Sequence, residues 1–175
     1  MKIAVIGSGD VGGALGKGWE KQGHSARFGV RDKSDPKPAA LLQEAGSNAQ
    51  AAGMKEAAQS TEVVLLATLW PATQEAIRSA GNLAGILLDC TNPLKPDLPL
   101  EIGHTTSGAE QVDGWAKGAG GKVFNTTGSN NMENSSYPGG LVTMFHCGDD
   151  ARAKSAPGNW PPTWDSKPST LEESR

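Results

Sequence analysis

Three glycines near the N-terminus have the spacing of a phosphate-binding turn. Gly7, Gly9 and Gly12 follow a short apolar run, residues 2–6, and open a segment of helical periodicity, residues 11–22. In such a turn the first glycine permits a sharp reversal and the second lets a pyrophosphate approach the backbone. The third lets the helix pack on the strand. The pattern therefore predicts a dinucleotide-binding βαβ unit.

The start of this predicted helix supplies the groups that would hold the anion. We expect the backbone amides of Gly9, Asp10 and Val11 to face the pyrophosphate at the positive end of the helix. The Asp10 carboxylate counts against this interpretation, because it repels phosphate. The alternative is a glycine-rich turn without a ligand. Glycine inside a helix costs up to about 1 kcal/mol per residue, so the four in residues 11–22 favour a function over that alternative.

The end of the second predicted strand, residues 25–30, indicates which dinucleotide is bound. NAD enzymes usually carry an acidic residue about 20 residues after the glycines, where it binds the ribose 2′-hydroxyl. Here Arg31 follows the strand, and a guanidinium suits a 2′-phosphate. Lys33 would assist it. Two alternatives stay open: Arg31 forms only a solvated charge pair with Asp32, or Asp32 faces the ribose and NAD is preferred.

The remaining chain alternates predicted strands and helices, which is typical of a parallel sheet. The hydrophobic patterns predict a Rossmann-like, doubly wound α/β fold with a mainly parallel sheet and helices on both faces. Further strands are predicted at residues 62–68, 85–90, 122–125 and 141–147, and further helices at residues 38–45, 55–60, 72–81 and 108–117. Residues 118–121 and 128–140 are predicted to be loops.

The bulk composition excludes several classes of protein. A net charge of −3 without a basic stretch argues against nucleic-acid binding. No apolar run approaches the roughly 18 residues of a membrane span, and the N-terminus does not resemble a signal peptide. Cys90 and Cys147 lie in apolar runs, which predicts two buried thiols in a reducing compartment. These features indicate a soluble cytoplasmic protein that needs neither a membrane nor a metal.

Five further motifs follow the predicted strands or open a predicted helix. They are LLATLW at 65–70, DCTNPL at 89–94, SGAE at 107–110, FNTTG at 124–128 and CGDD at 147–150. Together with the glycine turn they resemble the NADP-binding reductases related to coenzyme F420-dependent NADP oxidoreductase. The resemblance covers roughly residues 1–155, which are predicted to form one NADP-binding Rossmann domain.

The resemblance implies a role for each group of residues. Ser8 to Val11 would hold the pyrophosphate and Arg31 the 2′-phosphate of NADP(H). The residues implied on the nicotinamide side are Thr68, Leu69, Trp70, Asn92, Pro93, Asn125 and Thr126. Family members often carry Ser or Thr where this chain has Val30, which weakens the NADP assignment. The resemblance also implies a homodimer, assembled through the C-terminal part of the family.

The implied reaction is hydride transfer between the nicotinamide and a deazaflavin (coenzyme F420) or flavin-like acceptor. Stacked rings carry this chemistry, so no general base is obligatory. One alternative is a module or redox sensor that binds NADP(H) without turnover. Another is a reductase of imines or 3-hydroxy acids, for which Lys95 is the nearest candidate residue. His104 is the one histidine near the expected acceptor side, and Cys90 is expected to be a core thiol.

Residues 156–175 do not fit the pattern of the preceding domain. They contain four prolines and two tryptophans and no hydrophobic periodicity. With free choice of third codon positions, a shifted reading frame can spell a helix end, a glycine stop and a strand that resemble the family. The hypothesis is therefore that this tail is a frameshifted, irregular, non-native segment, and resequencing the gene tests it.

Overall fold

A seven-stranded sheet organises the part of the chain that the structure describes. The computed structural model describes residues 1–32, 34–59, 61–83, 85–95, 97, 99–103, 105–117 and 120–155. The predicted tail, residues 156–175, lies outside these residues, as do Lys33 and His104. The prediction for the tail therefore stays a prediction.

The strands form one large sheet and a separate small hairpin. They are β1 (Lys2–Ile6), β2 (Ser25–Val30), β3 (Ala49–Gly53), β4 (Val63–Leu66), β5 (Ile86–Asp89), β6 (Gly120–Val123), β7 (Ser136–Tyr137), β8 (Gly140–Leu141) and β9 (His146–Cys147). The large sheet has the order β3-β2-β1-β4-β5-β6-β9, and β7 pairs with β8. The first six strands of that order are parallel, and β9 runs antiparallel to β6. This order confirms the predicted Rossmann-like fold.

Helices cover both faces of the sheet, as predicted. They are α1 (Asp10–Lys21), α2 (Pro36–Ala45), α3 (Met54–Gln59), α4 (Trp70–Ala80), α5 (Gly108–Ala116), α6 (Ser129–Glu133) and α7 (Ala151–Ser155). One apolar core lies between the sheet and α1, α2, α6 and α7, and the other lies beneath α3, α4 and α5. Within the described residues, no helix combines the length and apolar character that a bilayer span requires.

The central strands are apolar throughout because both of their sides are covered. All four residues of β4 are buried, as are the last four residues of β1. Such continuous apolar runs are typical of parallel strands between two helical layers. On the first face, Trp19 of α1 meets Phe124 edge to face, with ring centroids 6.5 Å apart. On the second face, Trp70 lies 5.3 Å from Trp115 and joins α4 to α5.

Two of the elements that the sequence does not predict lack the usual signals. Strand β3 (Ala49–Gly53, AQAAG) contains no β-branched or aromatic residue, and it forms through parallel pairing with β2. Helix α6 (Ser129–Glu133) lies inside the predicted loop 128–140, where it packs against α1. Tertiary contacts decide both elements.

Three predictions near the C-terminal end of the sheet were wrong. The predicted loop 118–121 contains the start of β6, where Gly120 and Gly121 fit close to Leu87 and Ala153. The predicted strand 122–125 ends early, because Phe124 has a positive φ of 60°. The predicted strand 141–147 is divided between β8 and β9, and Cys147 is exposed at this edge rather than buried.

The close packing of α1 on β2 leads to a paired stability prediction. A Cβ on Gly16 would come within 2.8 Å of two ring atoms of the buried Phe28, whereas a Cβ on Gly18 would meet nothing within 4 Å. We expect Gly16→Ala to lower the free energy of unfolding by about 1–3 kcal/mol through overpacking. Gly18→Ala should raise it by about 0.5–1 kcal/mol through helix propensity. Urea unfolding measures both, and equal effects of the two variants would contradict this packing.

Candidate functional site

Two glycines where the chain passes from β1 into α1, Gly7 and Gly12, lie directly against neighbouring backbone atoms. Gly7 has a φ of +111°, and a Cβ there would lie 2.5 Å from the carbonyl oxygen of Ala67, beyond the end of β4. A Cβ on Gly12 would collide with the carbonyl oxygen of Gly7. Both glycines are therefore required by the fold. Gly9 differs from them, because a Cβ there would meet no atom within 4 Å.

The open space at Gly9 lies at the start of α1. Gly9 is the N-cap of this helix, and no side chain caps it. The first helical hydrogen bond runs from the amide of Gly13 to the carbonyl oxygen of Gly9, at 2.7 Å. The amides of Asp10, Val11 and Gly12 therefore have no carbonyl partner within the helix and carry its partial positive charge. This arrangement fits a phosphate group.

A cleft of about 370 Å³ extends from this turn along α1. Its lining residues come from α1, α2 and α6 and the glycine turn: Ser8, Gly9, Asp10, Gly13, Ala14, Lys17, Leu41, Ser129, Asn130 and Glu133. Lys17 binds the carboxylates of Glu44 and Glu133, each at 3.2 Å, and so ties α2 and α6 to α1. These hydrogen bonds raise the pKa of Lys17, with Glu44 contributing most.

The sequence does not predict that residues of α6 line this cleft. Ser129 and Asn130 lie in the segment predicted to be a loop, and their place beside the glycine turn depends on the packing of α6 against α1. One available signal was the position of Gly128, the last residue of the FNTTG motif, directly before SNNM.

The end of β2 places one cation and one carboxylate at the surface. Arg31 is exposed and follows the buried Val30. Asp32 turns back on its own loop: its Oδ1 accepts hydrogen bonds from the amide of Ser34 at 2.8 Å and from its hydroxyl at 2.7 Å. These bonds lower the pKa of Asp32. Within the described residues, the Asp32 carboxylate is bonded by Ser34 alone, and its backbone carbonyl accepts a hydrogen bond from the amide of Asp35. The carboxylate is thus held by its own loop, whereas the guanidinium of Arg31 is exposed.

The three predicted site residues after β4 differ in exposure: Thr68 is half-buried, Leu69 is exposed and Trp70 is buried. Leu69 is 84% exposed, whereas Trp70 is buried against Trp115. The ring of Trp70 therefore belongs to the core, and only its backbone remains for the predicted contact. Thr68 Oγ1 lies 2.9 Å from Thr73 Oγ1, which donates to the carbonyl oxygen of Leu69. Because a hydroxyl has one hydrogen, Thr68 donates to Thr73.

The segments after β5 and β6 lie at the same edge of the sheet, because these strands are parallel neighbours. Asn92 is exposed and Pro93 is half-buried beside Gly108. Asn125 is half-buried, directly after Phe124. The hydroxyl of the exposed Thr126 reaches the sulfur of Met144. The structure thus brings the predicted glycine-turn and strand-end residues to one edge of the sheet. Their contacts with a ligand stay predictions.

A buried ion pair beneath these segments was not predicted. Lys122 Nζ lies 2.8 Å from Asp89 Oδ2 and also donates to the carbonyl oxygen of Thr91. The two charged residues are directly opposite in the register of β5 and β6. Cys90, between Asp89 and Thr91, is fully buried, and burial raises its pKa, with the Asp89 charge adding to the effect. This thiol is a core group, as expected. The available signal was a charged residue near the end of each apolar strand.

The capped start of α5 borders the same edge. Ser107 Oγ accepts a hydrogen bond from the amide of Glu110, and the Glu110 carboxylate accepts one from the amide of Ser107 at 2.6 Å. This capping box lowers the pKa of Glu110. No group of three or more potential metal ligands occurs among the residues with described positions.

Comparison with known proteins agrees with this architecture. The family model described as "NADP oxidoreductase coenzyme F420-dependent" matches residues 2–93, which is more than half of the chain. No curated protein matches the sequence. Among solved structures, a protein of Arthrobacter sp. FB24 with the provisional name F420-dependent NADP-reductase is 27% identical. Its TM-score is 0.76, and the match covers 89% of this chain and 77% of that one.

Two other solved structures show the same fold at lower identity. A hypothetical protein of Sinorhizobium meliloti, SMa0349, is 21% identical with a TM-score of 0.75, over 88% of this chain and 76% of its own. The reductive aminase of Aspergillus terreus, solved with NADPH and ethyl-5-oxohexanoate, is 17% identical. Its TM-score is 0.60, and the match covers 83% of this chain and 46% of the aminase.

The family match spans the glycine turn, Arg31 and the segments that follow β4 and β5. The mainly parallel sheet and its strand order agree with that match. This chain therefore belongs to the family of coenzyme F420-dependent NADP oxidoreductases.

Proposed function

We propose that this chain binds NADP(H) along the carboxyl edge of its sheet and transfers hydride between the nicotinamide and a deazaflavin or flavin-like acceptor. The observation that carries the proposal is the start of α1, where three amides lack helical partners and a Cβ on the N-cap Gly9 would meet no atom. Family membership and the 27% identical Arthrobacter structure support the choice of dinucleotide and acceptor.

In this proposal the pyrophosphate lies against Ser8, Gly9, Asp10 and Val11. A ligand there lies at the point where the strand order reverses, between β1 and β4, which is the usual crevice for dinucleotides in such sheets. The cleft beside Ser129 and Asn130 extends this position along α1. The adenosine half would then pass over β2, and the nicotinamide half over β4 and β5.

Arg31 provides the preference for NADP(H) over NAD(H). Its guanidinium is exposed at the end of β2, where the adenosine ribose would lie. The hydrogen bonds from Ser34 occupy one oxygen of Asp32, which favours Arg31 over Asp32 as the group that meets the ribose. A guanidinium pairs well with a phosphate, because both have several donors or acceptors in fixed geometry.

The protein contributes position rather than reactive groups to this reaction. NADPH, when bound, supplies the hydride. Leu69 would shield the nicotinamide from water, since its side chain is 84% exposed shortly after the end of β4. Asn92, Pro93, Asn125 and Thr126 would border the nicotinamide and the acceptor. Holding two rings at near-attack distance supplies the main rate enhancement in such transfers.

The hydride acceptor is tested by following NADPH oxidation. We expect loss of reduced-nicotinamide absorbance with a deazaflavin such as coenzyme F420, or with a flavin, and not with NADPH alone. Tight NADPH binding without oxidation by either acceptor would instead identify a binding module or redox sensor. Reduction of imines with NADPH would contradict the proposed acceptor class.

Arg31→Ala tests the preference for the 2′-phosphate. We expect NADPH to bind roughly tenfold or more weakly, because a charge-assisted hydrogen bond is worth about 1.5–3 kcal/mol. NADH affinity should not change. Arg78→Ala is the matched control, since Arg78 is an exposed arginine in the last turn of α4. Titration calorimetry measures all three proteins, and an equal loss for both dinucleotides would contradict the role of Arg31.

Gly9→Ala separates the binding role of the glycine turn from its structural role. Gly9 has a φ of −81°, which any residue adopts, and the added methyl would meet no protein atom. The free energy of unfolding should therefore stay within about 0.5 kcal/mol of the parent. NADPH affinity should fall at least about tenfold, because the methyl fills space that the pyrophosphate would take. An unchanged affinity would place the pyrophosphate elsewhere.

A further inference from the structure

The ion pair between Asp89 and Lys122 is unusual in being buried. The Asp89 side chain is 4% exposed and the Lys122 side chain 12%. A buried pair contributes little net stability, because removing both charges from water offsets much of their attraction. Its position at the carboxyl ends of β5 and β6 therefore calls for a reason other than stability.

Asp89 and Lys122 both form hydrogen bonds with Thr91. The amide and the hydroxyl of Thr91 donate to Asp89 Oδ1 at 2.8 Å and 2.7 Å. Lys122 Nζ donates to the Thr91 carbonyl oxygen and lies 3.4 Å from its hydroxyl oxygen. The amide, carbonyl and hydroxyl of one residue are thus all held by the pair. This fixes the chain direction immediately before Asn92.

The turn that follows Thr91 is also held on its other side. The amide of Leu94 donates to the carbonyl oxygen of Asn92 at 2.8 Å. The amide of Glu101 donates to the carbonyl oxygen of Pro93, also at 2.8 Å. The Pro93 ring packs on Gly108 at the start of α5, where a Cβ would lie 3.1 Å from it. The backbone of residues 91–93 is therefore anchored at both ends.

The side chain of Asn92 is the exception within this anchored turn. It is exposed, and it forms no hydrogen bond with another described residue. An asparagine amide offers two donors and one acceptor. A free polar group on a rigid turn loses little conformational entropy when it binds a ligand.

We propose that Asp89, Thr91 and Lys122 form a positioning network that presents the Asn92 amide to the nicotinamide nucleotide half of the dinucleotide. This inference rests on the proposed function. The three residues touch neither cofactor nor acceptor, and they act only through the turn. The adenosine half, which lies over β2, does not depend on them.

A double variant separates positioning from stability. Lys122→Met alone leaves a buried carboxylate without its cation and should unfold more easily. Asp89→Leu/Lys122→Met removes both charges, so it should recover much of that stability while still lacking the network. Glu75→Leu/Arg78→Met is the matched control, because it removes an exposed ion pair from α4. Urea unfolding confirms that each protein is folded before binding is measured.

Binding is compared for two probes, adenosine 2′,5′-bisphosphate and NADPH. The parent protein should bind NADPH more tightly than the bisphosphate. We expect Asp89→Leu/Lys122→Met to bind the bisphosphate like the parent and NADPH about tenfold more weakly, as for a lost hydrogen-bonding group. Asn92→Ala should show the same pattern. Adding Asn92→Ala to the double variant should cause no further loss, because both changes remove one contact.

The outcomes distinguish failure of this inference from failure of the proposed function. If the parent binds neither probe, the proposed function fails. If the parent binds both probes and the folded double variant keeps its NADPH affinity, the positioning role is overturned. Additive losses from Asn92→Ala and the double variant would overturn it as well, since they would act on separate contacts.

Discussion

At two positions where the chain passes from β1 into α1, Gly7 and Gly12, the surrounding backbone leaves no room for a side chain. Gly7 is held against the carbonyl of Ala67, and Gly12 is held against the carbonyl of Gly7. These two contacts hold β1, the segment after β4 and the start of α1 close together. The amides of the first turn of α1 have no side-chain cap. The fold and the anion site thus share one requirement, and a side chain at either glycine would damage both.

The two halves of the site are assembled differently. The glycine turn and Arg31 lie within the first βαβ unit, so parallel pairing of β1 with β2 is enough to bring them together. The other half depends on residues far apart in sequence: Asp89 and Lys122 meet through the pairing of β5 with β6. Loss of this long-range pairing would disturb the second half while leaving the first half formed.

This difference explains how much the sequence predicts. The glycine spacing, the buried strands and the order of helices and strands follow from local patterns, and they lead to the correct fold. Strand β3 is alanine-rich and forms only because β2 offers an unpaired edge, so no local pattern predicts it. The family resemblance implies Trp70 on the nicotinamide side, but its ring is buried in the core beside Trp115. Asp89 and Lys122 look like ordinary polar strand ends until their register is known.

The charges around the cleft have a consequence for the speed of binding. Lys17 is shared by two carboxylates, Asp10 lies beside the anion position, and the whole chain has a net charge of −3. Lys17 and the net charge therefore provide little long-range attraction for a polyanionic dinucleotide, and any electrostatic steering depends on the exposed Arg31 at the end of β2. At hydrogen-bonding range, the α1 amides add to this attraction in the proposed complex. For such a site, slow dissociation rather than fast association would set the affinity for the dinucleotide.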